Sequence, residues 1–174
     1  MKQAYLLTGR PGTGKTSIIK QAVAGMKGEA GGFYTEEIRS RGVREGFRLV
    51  TLDGQSAILA HINIHSPYLV SKYGVDIDSL DRVGVSALHQ AVQQCDLVVI
   101  DEIGKMELFS ANFRDAVLQI INGGKRVLGT IMLSPHPWAD AIKRQPQVNL
   151  VEVTRYNHHQ VLEELREWLQ GGGG

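Results

Sequence analysis

The order of elements predicts a three-layer α/β domain with a mostly parallel sheet and an antiparallel β meander inserted into it, and three observations carry that prediction. Short apolar runs alternate with segments of helical period along the chain. The run "DLVVIDEIG" at 96–104 is continuously apolar before its acids, as a strand buried on both faces of a parallel sheet would be. The run "QAYLLTG" at 3–9 goes through a glycine-rich loop straight into a helical pattern.

Taken in order, the first strand ends in Gly9, and Ile18, Ile19, Ala22, Val23 and Met26 then recur at helical spacing. Three β-leaning runs follow, "GGFYTEEIR", "GFRLVTLDG" and "SAILAHINI", separated by the turns "SRGVREG" and "LDGQS". Short strands with glycine turns between them predict the meander, so the sheet is expected to be mixed. "SLDRVGVSALHQAVQQC" reads as a helix with Leu88, Val92 and Cys95 on one face, feeding the acidic strand. In "SANFRDAVLQIINGG", Ser110 is the expected N-cap, Phe113, Val117 and Ile120 point inward, and Gly123 or Gly124 closes the helix. "KRVLGTIML", the short helix "PWADAIKRQ", the strand "LVEVT" and a last helix from about Asn157 with Leu162, Leu165 and Leu169 complete the chain. Residues 1–170 are expected to form one domain, and the "GGGG" at 171–174 a flexible tail.

Composition bounds the function. With 174 residues, 43% apolar and 21% charged, the chain can bury one real core. Its 19 basic and 18 acidic side chains leave a net charge of +1, so no overall basic field points to nucleic acid, although a local basic patch is compatible with one. The single Cys95 forms no internal disulfide, no leader-like segment is evident, and no apolar run approaches the roughly 20 residues of a membrane span, so a cytoplasmic, membrane-free protein is expected. The sequence points to no protein partner.

Gly9-Arg10-Pro11-Gly12-Thr13-Gly14-Lys15-Thr16 fits G-x-x-x-x-G-K-[ST] between a strand and a helix. Glycines permit the dihedrals that turn successive N–H groups onto a phosphate at a helix N-terminus. Lys15 can reach β and γ phosphates, and the Thr16 hydroxyl can coordinate Mg²⁺. The candidate nucleotide-binding residues are these eight and Ser17, with Arg10 read as solvated rather than catalytic. A nucleoside triphosphate is the ligand such a loop takes.

The acidic strand end supplies the second half of the site. Asp101 falls at the carboxyl end of its strand, where open α/β sheets bind ligands, and is a candidate Mg²⁺ partner through a water. Glu102 beside a γ-phosphate could orient a water and take its proton. Lys15, Asp101 and Glu102 are the catalytic candidates, and Thr16 and Asp101 the metal-binding ones. Lys105 and Glu107 read either as surface salt-bridging residues or as nucleotide contacts. Thr130, in "VLGTIML", reads equally as a strand residue or as a sensor of the γ-phosphate or the attacking water. Arg39, Arg41, Arg44 and Arg48 cluster on the hairpin, where arginines fit a solvated edge as well as a phosphoryl-stabilising role. Tyr34, Phe47 and Tyr73 could stack on a base or pack in the core. The six histidines follow no zinc spacing.

"GRPGTGKT", "GGFYTEEIRSRGVREGF", "KYGVDIDSLD" and "VVIDEIGKMEL", in this order and with "GTI" and "HPWADAIK" after them, resemble the small nucleoside-triphosphatase family first described from thermophiles, whose animal members are called cancer-related nucleoside-triphosphatases. The resemblance covers nearly the whole chain. It implies a P-loop NTPase fold of the additional-catalytic-glutamate type and slow, Mg²⁺-dependent hydrolysis of ATP, GTP, CTP and UTP to diphosphates with little base selectivity. It also implies the roles argued for Lys15, Thr16, Asp101 and Glu102, and raises Arg39, Arg44 and Lys105 as phosphate-side contacts. The chain departs from the family in one place: where members tend to carry an Asn-Arg pair after the last strand, it has Asn157-His158. If that arginine contacts nucleotide, His158 implies a weaker or pH-dependent contact.

Two alternatives to hydrolysis stand beside it. A nucleotide or small-molecule kinase would share the loop but needs an acceptor site and a lid. A nucleotide-dependent binding or regulatory module would use slow hydrolysis as a timer.

Overall fold

The computed structural model describes residues 2–171. Among these residues nine strands form a single sheet in the order β5-β6-β4-β3-β2-β7-β8-β1-β9. Strand β1 (Ala4–Thr8) leads through the glycine loop into α1 (Lys15–Ala24). The hairpin strands β2 (Ala30–Ser40) and β3 (Val43–Thr51) and strand β4 (Ser56–His61) form the expected antiparallel meander. The meander is not a separate layer, because β2 also pairs in parallel with β7 (Leu97–Ile103) and so joins the two halves of the sheet. Strands β8 (Arg126–Ile131) and β9 (Val148–Glu152) continue the parallel half around β1.

Two further strands, β5 (Leu69–Val70) and β6 (Tyr73–Val75), extend the antiparallel edge. They lie in a stretch from which sequence pattern predicts no strand, since two or three residues cannot display a period. The predicted helix after them is also more segmented than expected. Asp76 caps a short α2 (Ile77–Ser79), a π-helical stretch spans Leu80–Val85, and α3 (Ser86–Gln94) follows. Gly84 allows close packing here, as a Cβ at this position would stand 3.1 Å from Leu80 and 3.3 Å from Leu49. On α3, Leu88 and Ala91 are buried, with Val92 and Cys95 half-buried against the same cluster rather than central to it. Ser110 caps α4 (Ala111–Asn122) by accepting the Phe113 N–H at 3.0 Å, and Gly123 ends it, both as expected. A 3-10 turn (Glu107–Phe109) precedes this cap, and α5 (Pro137–Lys143) and α6 (His158–Gly171) complete the helices. Gly171, expected in the tail, closes α6, and residues 172–174 lie outside the described ones.

Alternate residues of β7 show why three layers form. Val98 and Ile100 enter one core with α3, α4 and α5, while Leu97 and Val99 enter another with α1 and α6. On α6 the inward set is Val161, Leu165, Trp168 and Leu169, with Leu162 only half-buried beside it. Among the described residues no helix is long and apolar enough to cross a membrane.

Candidate functional site

The phosphate loop connects β1 to α1, and its shape depends on Gly14, whose φ of 87° is left-handed. A side chain there would also collide with His158, whose Cε1 stands 2.7 Å from the position of a Cβ. The Lys15 ammonium folds over the loop and donates to the carbonyls of Gly9 at 2.8 Å and Arg10 at 3.1 Å, while Thr13 braces Arg10 O at 2.9 Å.

Asp101 and Glu102 meet this loop from β7, and the route is a β-bulge. Ile100 pairs with Gly129 and Ile103 with Ile131, so two residues of β7 oppose the single Thr130 of β8. Strict alternation would put residues three apart on opposite faces, yet Ile100 and Ile103 pack in the same core. The extra residue lets both acids reach one cavity, and the peptide bond between them is cis. Asp101 is only 4% exposed and is held by three threonines. Thr16 Oγ1 donates to its Oδ2 and Thr130 Oγ1 to its Oδ1, each at 2.7 Å, and Thr35 Oγ1 donates to its carbonyl at 2.6 Å. Burial raises the Asp101 pKa, and the hydrogen bonds from Thr130, Thr16 and the Thr35 main chain pull it back. Burial likewise raises Glu102, reinforced by the charge of Asp101 and opposed by Lys15.

Loop and acids line one cavity of about 730 Å³ with Thr35, Glu36, Glu37, Arg44, Phe47, Val70, Lys105, Met106, Glu107 and the 132–136 segment after β8. Thr16 and Asp101 are hard oxygen donors already 2.7 Å apart, a pair that fits Mg²⁺, which takes few protein ligands and completes its shell with phosphate and water. No group of three or more His, Cys, Asp or Glu side chains placed to hold a metal ion occurs among the described residues.

Sequence expectations divide here. Of the nine loop candidates, Gly9, Pro11, Gly12, Gly14, Lys15, Thr16 and Ser17 line the cavity, whereas exposed Arg10 and half-buried Thr13 do not. Arg44 and Lys105 line it as well. Arg39 does not: it lies exposed on the hairpin, 2.7 Å from Glu37 and donating to Gly42 O. Thr130 is fully buried beneath Asp101, its hydroxyl directed at that carboxylate and not into the cavity. Glu107 is no surface residue, being 3% exposed with Oε2 accepting the Gly104 N–H at 3.2 Å. Of the aromatics, Phe47 lines the cavity with Tyr73 edge-on behind it, while Tyr34 packs under Lys20 with its hydroxyl pushed up to about 12 by burial and by Asp101. Thr35 and His136 were not singled out as site residues. A threonine beside the acids on a neighbouring strand was the available signal for Thr35, whereas His136, whose Nδ1 caps α5, carried none.

This arrangement, a glycine loop and an acid pair flanking β8 in a parallel sheet, has known counterparts. A family model described as NTPase matches residues 4–166. The chain belongs to the NTPase family. It is 44% identical over 169 residues to Nucleoside-triphosphatase THEP1 of Thermotoga sp. (strain RQ2), with 97% of each chain covered. The crystal structure of THEP1 from Aquifex aeolicus superposes with a TM-score of 0.88 at 36% identity, covering 96% of this chain and 99% of that one. The solution structure of a human cancer-related nucleoside triphosphatase gives 0.82 at 34% identity, with both chains fully covered. The fold is thus the P-loop NTPase fold expected from the sequence, and β8, which carries Thr130, is the strand between the loop strand and the acidic strand. Relative to the family tendency noted above, His158 begins α6 pressed on Gly14, and its buried Nε2 has no hydrogen-bond partner among the described residues.

Proposed function

We propose that this NTPase hydrolyses the terminal phosphoanhydride of ATP, GTP, CTP and UTP with little base selectivity, using Mg²⁺ and turning over slowly. The observation that carries the reading is the placement of Glu102 in one cavity with Lys15 and next to the Thr16–Asp101 pair. Main-chain amides of residues 9–16 and the Lys15 ammonium would hold the phosphates, groups that read phosphate and not base. Glu102 would orient a water in line with the scissile bond and take its proton as the P–O bond to the diphosphate breaks. Thr16 and Asp101 would hold Mg²⁺, which when bound would supply positive charge to offset that developing on the phosphates. Thr130 and Thr35 would keep Asp101 in register. Slow turnover is supported by Arg44, the one arginine among the described residues that lines the cavity, which is tied to Glu37 at 3.2 Å and to the Tyr73 hydroxyl at 3.0 Å. A free arginine on the transferring phosphoryl accelerates related reactions by about 10³–10⁵. A cytoplasmic location belongs to the same reading, on the cysteine usage of the chain.

The test is phosphate release from the four triphosphates, with Mg²⁺ and with chelator, in wild type and Glu102→Gln. Comparable metal-dependent release from all four, lost in the variant, is expected. Release that survives chelation, is confined to one base, or is undiminished in Glu102→Gln overturns the corresponding part. One observation favours a second reading, transfer to a hydroxyl acceptor: Phe47, Val70, Met106, Met132 and Leu133 also line the cavity, apolar surface that the phosphate chemistry does not require. Full phosphate release without an acceptor would remove it.

A further inference from the structure

The stretch from Asp101 to Ser110 holds a carboxyl that the hydrolysis scheme leaves unused. Glu107 is 3% exposed, lines the floor of the cavity and stands near two other acids, Glu102 and Asp101. Burying a carboxyl among carboxyls is unfavourable, and an apolar side chain would satisfy packing alone more easily. What Glu107 holds is therefore informative. Its Oε2 accepts the Gly104 N–H at 3.2 Å, and the Leu108 N–H donates to Gly104 O at 3.0 Å, so Gly104 is gripped at both ends of its own residue. The turn that delivers the grip is itself fixed, since Ser110 N donates to Glu107 O at 3.0 Å and Ser110 then caps α4.

Gly104 in turn forms the wall behind Glu102. A Cβ on Gly104 would stand 2.5 Å from Glu102 Oε1, 2.8 Å from its Cγ and 2.9 Å from its Cδ, so the Glu102 carboxyl lies flat against the bare Cα. Gly104 has no positive φ, and its lack of a side chain serves this close approach rather than the backbone angle.

We propose that Glu107 is a positioning residue for Glu102: by holding the Gly104 amide it fixes the surface on which the Glu102 carboxyl rests when it orients water. This rests on the reading of Glu102 as the base. Glu107 needs only an acceptor oxygen for the role, as its contact with the Gly104 N–H shows, so a neutral amide of the same shape can replace it, and burial favours the neutral form of the carboxyl. Mispositioning a reacting group by about 1 Å can cost on the order of 10²-fold in rate.

The experiment compares kcat and KM for MgATP, and the affinity of a fluorescent ATP analogue, in wild type, Glu107→Ala, Glu107→Gln, Gly104→Ala and Glu102→Gln. Expected are a kcat lower by about 10- to 100-fold in Glu107→Ala with KM and analogue affinity within about twofold, and recovery to within about threefold of wild type in Glu107→Gln. Gly104→Ala, which displaces Glu102 from the opposite side and leaves Glu107 in place, should reproduce the kcat loss even where Glu107→Ala fails to fold. Unchanged kcat in both Glu107→Ala and Gly104→Ala overturns the proposal. So does a Glu107→Gln variant that folds and binds nucleotide but is as slow as Glu102→Gln, since the carboxyl would then act chemically. A rise in KM alone would make Glu107 a nucleotide contact and overturn it too. Undiminished rate in Glu102→Gln instead sinks the reading of Glu102 as base, an outcome separate from all of these.

Discussion

The loop at residues 9–17 and the strand end at residues 101–107 face one another across a single cavity and manage charge in opposite ways. The loop spends glycines, main-chain amides and one lysine, and most of its residues are at least partly open to solvent. The strand end concentrates carboxyls out of water, with Asp101 at 4% and Glu107 at 3% exposure and Glu102 half-buried between them. Binding charge with amide dipoles requires little else around it. Burying carboxyls requires a shell, here Thr16, Thr35, Thr130 and the Gly104 amide. Under the proposed function this difference gives affinity to the loop and rate to the strand end, a division that substitutions can break.

The largest effect falls on Glu102→Gln. Removing a general base typically costs about 10²–10⁴-fold, and the loss should appear in kcat while nucleotide affinity, set by the loop, stays within a few-fold. Lys15→Ala should do the converse first, weakening binding. If Glu102→Gln instead raises KM with kcat intact, the division between the two regions is wrong.

Next in size is Thr130→Val, which keeps the shape of the strand and strips the donor from Asp101 Oδ1. A buried carboxylate oxygen left without its partner costs about 1–3 kcal/mol, read as a lower denaturation midpoint. Phosphate release should also need more Mg²⁺, because Asp101 would no longer be aligned with Thr16. Loss of stability without any change in metal requirement would make Thr130 a strand residue only.

How much of this was legible follows the same division. The loop could be read residue by residue, because its chemistry is local and each glycine has a reason within eight positions. Asp101 and Glu102 were legible as a pair only in the company of the phosphate loop, since acids at a strand end are by themselves more often a solvated turn, and the bulge that turns both toward the cavity was not legible, because it depends on how β7 registers with β8. Glu107 read as either a surface salt-bridging residue or a nucleotide contact, and its burial was not legible because it depends on a 3-10 turn and on a cavity assembled from several elements. Arg39 and Arg44 looked alike, five residues apart on one hairpin. The register that pairs them with each other across β2 and β3 leaves Arg39 outside the cavity lining and puts Arg44 within it, over Phe47.

The carboxyl shell also predicts a pH effect on stability. Burial, with Glu102 and Asp101 nearby, holds Glu107 well above its ordinary value of 4.5. The folded protein therefore binds this proton more tightly than the unfolded chain does. Its contribution to stability is complete below about pH 4.5 and is lost as pH rises towards the folded value. Glutamine does not titrate, so Glu107→Gln should gain on wild type as pH rises, by up to about 1.4 kcal/mol per pH unit within that interval, or a few degrees of Tm. A constant difference in melting temperature across pH would place the Glu107 carboxyl in contact with water.

The smallest effect is expected at Arg39→Ala, and it tests the boundary of the site. Arg39 Nη2 is 2.7 Å from Glu37 Oε2, but the two side chains are 53% and 39% exposed, and such pairs are worth about 0–1 kcal/mol in water. Glu37 retains Arg44 as a partner at 3.2 Å, so no buried charge is stranded by the change. Melting temperature and phosphate release should both stay close to wild type, with kcat within about twofold, since Arg39 lies outside the cavity lining. A tenfold loss of kcat at unchanged stability would mean that the hairpin swings Arg39 onto the phosphates when nucleotide binds. Rate would then depend on a moving hairpin as well as on the buried strand end, and the separation of binding loop from catalytic strand would no longer hold.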